Sequence, residues 1–413
     1  MQIRLFYSKN NYFINKAIIF SIAFCAMGGF KLIGIGKTEK ALWLLGPVII
    51  ISWLLLNIVY QEDKPAIRLS FAYPMLIMIA GLFINTYAAQ AINGQSLWIT
   101  LYEQKYMYFI FLYFLFPYLG FSDRTYKDIL VNIAIFTAVL YLVQFFIYPV
   151  IITTAKIFYD RGSLRIFLPS MAIRNLIYFY AVDNLFKTFR LKYLLLSLLL
   201  FSVAILTASR AVLALYVLIT LIDLLINKRI KNKVLLFFAV VVIGAAGFFA
   251  FQNILLEMKA SAEKESAQGE DYIRVKSAKY YMTKGFEHNK MAYLTGNGVP
   301  SVRSAYGRRI QQISLKKGFY TSDIGIFGTF FILGPIFTIM SIFMAFKVVF
   351  MKVPPDLTFI KLYFAYELLG SYYSGVIPFV NADGLLLVTM VFYMIDYRRY
   401  ENQFKPLTQE QLG

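Results

Sequence analysis

Apolar residues run in long blocks along this chain, separated by short polar links rather than alternating with them. A bilayer-crossing helix needs roughly 20 such residues in a row. Blocks near residues 17–36, 41–60, 69–88, 99–119, 128–148 and 171–187 approach or meet that length, and six more follow near 192–208, 211–226, 233–253, 322–346, 357–376 and 381–397. The pattern predicts an all-α polytopic transmembrane bundle of about twelve spans. One interval breaks the rhythm, a polar stretch at 254–318. The expected organisation is therefore spans one to nine within 1–253, a large loop at 254–318, spans ten to twelve within 319–397 and a tail at 398–413. Inside the loop, Ile273, Tyr280 and Tyr281 recur at helical spacing, so an amphipathic helix lying over the membrane surface is expected there.

The links between blocks set the orientation. With the amino terminus in the cytoplasm, the inside links carry Arg4, Lys9 and Lys16, then Lys64 and Arg68, and later Lys228, Arg229, Lys231 and Lys233. The short outside links carry far fewer basic residues, among them Lys31, Lys37, Lys156 and Arg210. Cytoplasmic links are the basic ones, so both termini are expected inside and the large loop outside the cytoplasmic membrane.

Composition sharpens this picture. Of 413 residues, 59% are hydrophobic and 15% charged, against about 25% charged in soluble chains. The net charge of +19 raises the question of nucleic acid, but the basic residues fall in small clusters between apolar blocks, where they set topology; no nucleic-acid partner is expected. Cys25 is the sole cysteine and His288 the sole histidine, so intrachain disulfides, Cys-ligated zinc and paired-histidine metal sites fall away. Neither a metal nor a cofactor is expected.

Arginines on the outer side carry the candidate chemistry, because membrane depth penalises them and the guanidinium is never neutralised. Arg210 stands in a very short turn, Thr207-Ala208-Ser209-Arg210-Ala211, between two apolar blocks. It is either a snorkelling turn residue or a ligand for an anion. Arg161, Arg165 and Arg174 gather around the link 159–170, where planar guanidinium forks would suit a diphosphate. In the large loop, Arg274 and Arg303 flank Gly296-Asn297-Gly298, a tight turn or a place where backbone approaches a ligand closely. His288 is a loop histidine or a base. Asp323, at the mouth of span ten, is a helix N-cap, an acceptor-orienting base, or both. Glu367 lies mid-span and Asp383 near the outer end of span twelve; each is a candidate counter-ion for a buried arginine, Glu367 the favoured one.

Three of these segments, in order, resemble the O-antigen polymerase and O-antigen ligase superfamily. Leu206 to Ala211 looks like that family's Ser-Arg-Gly turn with alanine in place of glycine. Arg165 to Ser170 looks like its arginine-to-proline stretch, and Arg274 followed by Gly296-Asn297-Gly298 looks like its large-loop pattern. The ligase branch carries a His-Asn pair where Ser322-Asp323-Ile324-Gly325 stands here, which favours the polymerase branch. The resemblance implies a GT-C-like membrane fold in the bacterial inner membrane. It further implies metal-independent transfer of a glycan from an undecaprenyl-diphosphate carrier to a sugar hydroxyl, with flippase and chain-length regulator proteins as partners. On that reading Arg210, Arg274 and Asp323 are catalytic, and Arg161, Arg165, Arg174 and Arg303 join the two arginines around the diphosphate. Gly296, Gly298 and His288 contact substrate from the loop. A ligase-type transferase and a lipid-linked oligosaccharide flippase are the alternatives; the large outer loop argues against the flippase.

Overall fold

The computed structural model describes residues 66–119, 121–153, 155–160, 163–168, 170–207, 209–227, 251–287, 289–373 and 380–404, with residues 2–4 and a few isolated positions besides. The expected spans near 17–36, 41–60 and 233–253 lie almost wholly outside them. A short antiparallel pair joins β1 (Gln2–Arg4) to β2 (Ala66–Arg68). Then come α1 (Ala72–Asn93), α2 (Leu97–Glu103), a 3-10 segment (Gln104–Phe111), α3 (Leu112–Leu119) and α4 (Asp123–Phe146). A hairpin of β3 (Lys156–Asp160) and β4 (Ser163–Phe167) precedes α5 (Met171–Thr188), α6 (Leu191–Leu206) and α7 (Arg210–Ile226). The large-loop region holds α8 (Gln252–Ala267), α9 (Ile273–Met282), the short α10 (Ala292–Thr295) and α11 (Ala305–Lys317). The chain closes with α12 (Gly325–Phe350), α13 (Thr358–Tyr373) and α14 (Ala382–Phe404).

Three stretches among the described residues are long and apolar enough to cross a membrane: Ala72–Asn93, Asp123–Phe146 and Thr321–Phe350. Their surfaces agree with a bilayer environment. On α1, Met75, Met78, Ile79 and Leu82 are buried, whereas Tyr73, Leu76, Ile77, Phe83, Ile84 and Tyr87 form an exposed apolar stripe on the other face. Such a stripe is unfavourable in water and ordinary against lipid chains. The last helix sits in the middle along its apolar stretch, where Leu385 to Ile395 are at most 1% exposed on every side. Phe71 stacks on Phe392 with centroids 3.9 Å apart, and Tyr393 packs between Phe116 and Tyr126. The core thus lies where α14 meets α3, α4 and α5.

Two expectations need correction. The block near 99–119 is not one straight span, because it passes from α2 through the 3-10 segment to α3, which contains Pro117 and its missing N–H donor. The link between the fifth and sixth blocks is not a purely irregular loop in an all-α chain. It folds into the β3–β4 hairpin, in register from Lys156↔Phe167 to Asp160↔Ser163.

Long-range order at one end of the bundle depends on a break in α12. At Gly334 the backbone leaves helical geometry (φ 79°, ψ 177°), and Pro335 follows without an N–H. The carbonyls one turn earlier lose their helical donors and find others. Asn297 N–H donates to Phe331 O (2.9 Å), Gly298 N–H to Ile332 O (2.9 Å), and Asn85 Nδ2 to both Ile332 O (2.7 Å) and Thr295 O (2.9 Å). Further amides extend the seam: Asn93 Nδ2 donates to Asn297 O (2.8 Å), and Gln95 holds Val299, Ser301 and Ser304 together. The large-loop region is therefore docked onto α1 and α12 at named backbone positions.

Candidate functional site

The turn between α6 and α7 projects Arg210. A helix end leaves carbonyls without donors, and the hairpin supplies them: Ser163 Oγ donates to Leu206 O (2.6 Å) and Arg165 Nε to Thr207 O (3.1 Å). The Arg165 guanidinium also lies over the rings of Phe158 (5.8 Å) and Phe167 (5.2 Å). Arg165 is thus built into the support of the Arg210 turn.

Arg210, the first residue of α7, reaches α8. It pairs with Glu265 at 2.5 Å, and its Nη1 donates to Met258 O at 3.4 Å. Tyr272, at the entrance to α9, lies beside Glu265 and within the fields of both Arg210 and Arg274. Burial raises its phenol above the ordinary value, with the Glu265 contact adding to the rise and the two arginines opposing it. The Arg274 guanidinium lies 6.0 Å from the Tyr272 ring centroid. Two arginines 64 positions apart in sequence are thereby linked through Glu265 and Tyr272, Arg210 by its ion pair with Glu265 and Arg274 by its place against the Tyr272 ring.

Beside this cluster runs a groove of about 610 Å³ whose walls include Tyr272, Val275, Met282 and Phe327, with Arg274 and Asp323 at its polar edge. The groove and Asp323 are contributed by α9 and by the 3-10 turn Thr321–Ile324 that opens onto α12. Asp323 does not cap α12: Ile324 occupies the cap position, with no side-chain cap bond, and Asp323 accepts from Ser322 Oγ (3.1 Å) instead. The neighbouring Ser322 faces a second, polar cavity of about 260 Å³, lined also by Asn175, Ser209, Glu367, Asn381 and Asp383. One turn of chain therefore has an apolar groove on one side and a cavity rich in carboxylates, hydroxyls and amides on the other.

Under the polar cavity lies Arg174, 5% exposed, its guanidinium 6.0 Å from the Tyr141 ring. Its Nη1 has no hydrogen-bond partner among the described residues. The carboxylate acting on it is Asp383, whose Oδ2 accepts Ser170 N–H (3.1 Å). Glu367 lies against Tyr363 and Tyr366 instead. Among the described residues Arg174 forms an ion pair with neither Glu367 nor Asp383; Asp383, which α14 brings to the start of α5, is the carboxylate whose charge acts on it. Asn175, one position on, accepts from Tyr216 (2.6 Å) and donates to Tyr366 (3.0 Å), bridging α7 and α13.

Other expected residues are placed apart. Arg303 lies over the Tyr102 ring (4.8 Å) at the α2 side of the docked segment. Gly296 and Gly298 both approach the chain itself closely. A Cβ on Gly296 would stand 2.4 Å from Gly334 N, and one on Gly298 2.3 Å from the Ala89 Cβ. Both have left-handed φ (74° and 87°) that only glycine adopts at little cost. Arg161 and His288 lie outside the described residues. Sequence reasoning missed Glu265, Tyr272 and Asn175. Asn175 had a signal, an amide inside an apolar block; Glu265 sits in the mixed-charge run Lys259 to Asp271, where nothing singles it out.

No family model matches this chain, and no curated protein matches it.

Proposed function

We propose that this protein is a polysaccharide polymerase. It transfers an undecaprenyl-diphosphate-linked glycan to a sugar hydroxyl of another lipid-linked repeat unit, at the outer face of a bacterial inner membrane. The proposal includes a bundle of about twelve spans with both termini cytoplasmic, as the apolar blocks and basic links imply, and a GT-C-like arrangement of them, as the family resemblance implies. The observation that carries it is the chain of contacts from Arg210 through Glu265 and Tyr272 to Arg274, beside an apolar groove and one turn of chain from a polar cavity. An amphiphile with an anionic head and a sugar fits those three surfaces: prenyl chain in the groove, diphosphate on the arginines, hydroxyls in the cavity.

In this reading the acceptor hydroxyl attacks the anomeric carbon, the bond from that carbon to the phosphate oxygen breaks, and its electron pair leaves on the diphosphate. Arg210 and Arg274 stabilise that charge as it develops. Asp323 orients the hydroxyl and takes its proton. Glu265 holds Arg210 until donor arrives, and the more highly charged diphosphate displaces it.

The test is incubation of the purified protein in detergent with one substrate, the host's undecaprenyl-diphosphate-linked repeat unit, followed by gel analysis. A ladder of lengths is expected, lost in Arg210→Ala and Arg274→Ala and retained in Lys316→Ala. No ladder with intact protein and substrate rejects the polymerase in favour of a ligase, which needs a second acceptor, or a flippase, which forms no bond. Full activity in both arginine variants rejects the diphosphate site.

A further inference from the structure

At the other end of the bundle is a larger hollow that the transfer reaction does not use. It has a volume of about 720 Å³ and is formed by β2 and the start of α1, the end of α12 with the link after it, and α14. Its basic residues are Arg68, Lys347, Lys352 and Arg399, and its one carboxylate is Asp396. Phe327 in the groove and Lys347 in this hollow are both on α12, about 30 Å apart along a helix rising 1.5 Å per residue. The two sites are separated by roughly the thickness of a bilayer core.

Asp396 attracts both Lys347 and Arg399, but one carboxylate offsets only part of four positive charges. It is 1% exposed, and its Oδ2 is engaged by Ser70 N–H (3.0 Å) and by the Tyr113 hydroxyl. Lys347 Nζ donates to Ser70 O (2.6 Å), while Arg399 is fixed by Lys352 O (2.9 Å) and Ser70 Oγ (3.4 Å). Two cations are thereby held in place by neutral oxygens, which orient a charge without cancelling it. Arg68 and Arg399 both act on Lys347 as like charges, and Arg68 and Lys352 are exposed with no ion pair among the described residues. Four cations around one occupied carboxylate form a preorganised anion site whose self-repulsion an incoming anion relieves.

From this arrangement we infer that the hollow binds a phosphate-bearing anion, with the phosphate of an acidic phospholipid headgroup as the source its location favours. Tyr73, 68% exposed, stands on its rim at the first turn of the lipid-facing α1, the level at which aromatic residues meet headgroups. Basic pockets between membrane helices bind acidic headgroups, and each basic residue near the surface contributes about fivefold in affinity. The site stands whether or not the far end transfers sugars.

The test uses the purified full chain in neutral detergent, with ligand retention followed by native mass spectrometry and by the thermal midpoint. Phosphatidylglycerol, phosphatidylcholine and inorganic pyrophosphate are titrated separately. Phosphatidylglycerol is expected to bind and raise the midpoint while phosphatidylcholine does not. The double variant Arg68→Gln/Lys352→Gln should bind roughly 30-fold more weakly, two residues at about fivefold each. The charge-conserving Arg68→Lys/Lys352→Arg should bind within about threefold of wild type, and Lys316→Gln should be unchanged. Pyrophosphate binding that the Arg68→Gln/Lys352→Gln variant loses, without phosphatidylglycerol binding, keeps the phosphate site and assigns it to a soluble ligand; pyrophosphate binding that the variant retains belongs to the far end and overturns the inference. Binding of neither, equal binding of phosphatidylcholine, or full binding by the Gln double variant overturns the inference.

Discussion

Gly296→Ala tests whether the Gly-x-Gly segment serves the fold or a ligand. The added Cβ would lie 2.4 Å from Gly334 N, 2.6 Å from Ile332 O and 2.7 Å from Asn85 Nδ2, at a residue with φ of 74°. Two of these three atoms are backbone at the break in α12, so no side-chain rotation relieves them. With ψ of 171° the backbone there is open essentially to glycine alone and costs an alanine about 1 to 3 kcal/mol, and overpacking adds about 1 to 3 kcal/mol, so the expected loss is roughly 2 to 6 kcal/mol. Gly94→Ala is the control: its φ of 63° and ψ of 17° are the left-handed helical region, costing about 1 to 2 kcal/mol, and a Cβ there meets nothing within 4 Å. Equilibrium unfolding in detergent, with limited proteolysis of 289–304, measures both. Gly296→Ala should unfold earlier than Gly94→Ala and be cut within that segment. If it matches Gly94→Ala in stability and protection while donor affinity falls, the packing role is refuted and the ligand role restored.

Three further outcomes are expected. Asn85→Leu leaves the carbonyls of Thr295 and Ile332 without their side-chain donor, at about 1 to 3 kcal/mol for each group left unsatisfied; faster amide exchange at Asn297 and Gly298 would report it. Ser163→Ala removes the hydroxyl that satisfies Leu206 O, a loss of about 1 to 3 kcal/mol by the same unfolding assay, and loosens the turn that carries Arg210. Unchanged stability would show that the hairpin does not brace that turn. Glu265→Gln removes the carboxylate that competes for Arg210, so the KM for the lipid-diphosphate donor should fall several-fold; an unchanged or higher KM contradicts displacement of Glu265 by donor.

Much of the layout was legible because hydrophobic burial acts on contiguous sequence. Blocks of apolar residues became helices at Ala72–Asn93, Asp123–Phe146 and Gly325–Phe350; the stretch of Ile273, Tyr280 and Tyr281 became α9, but Ile273 is exposed and Tyr281 buried, so the expected shared apolar face is not formed. The hairpin was not legible as such, since its five-residue strands are too short to stand out among apolar blocks, although an Arg-Gly pair between Ile157-Phe158 and Leu164-Arg165-Ile166 is a recognisable turn signal. Arg210 and Arg274 were singled out from sequence because a charge beside an apolar block is costly unless it is used or satisfied. That Arg210 pairs with Glu265 beside Tyr272 was not, because an ion pair between residues 210 and 265 depends on how α8 returns to α7 and has no local signature.

What the sequence determined by itself was the class of molecule: helices long enough to cross a membrane, set by the length of apolar runs and the hydrogen-bond demands of a backbone in lipid. What only the tertiary structure decided was the partner of each polar group. Pro335 guaranteed that a carbonyl of α12 would lack its donor, but which N–H groups would fill the gap depended on the docking of 295–299 against α1. Likewise Arg174 needed negative charge nearby, and that Asp383 acts on it came from the packing of α14 beside α5. Burial is encoded locally by composition, whereas satisfaction of a buried polar atom is a contact between distant parts of the chain and exists only once they meet.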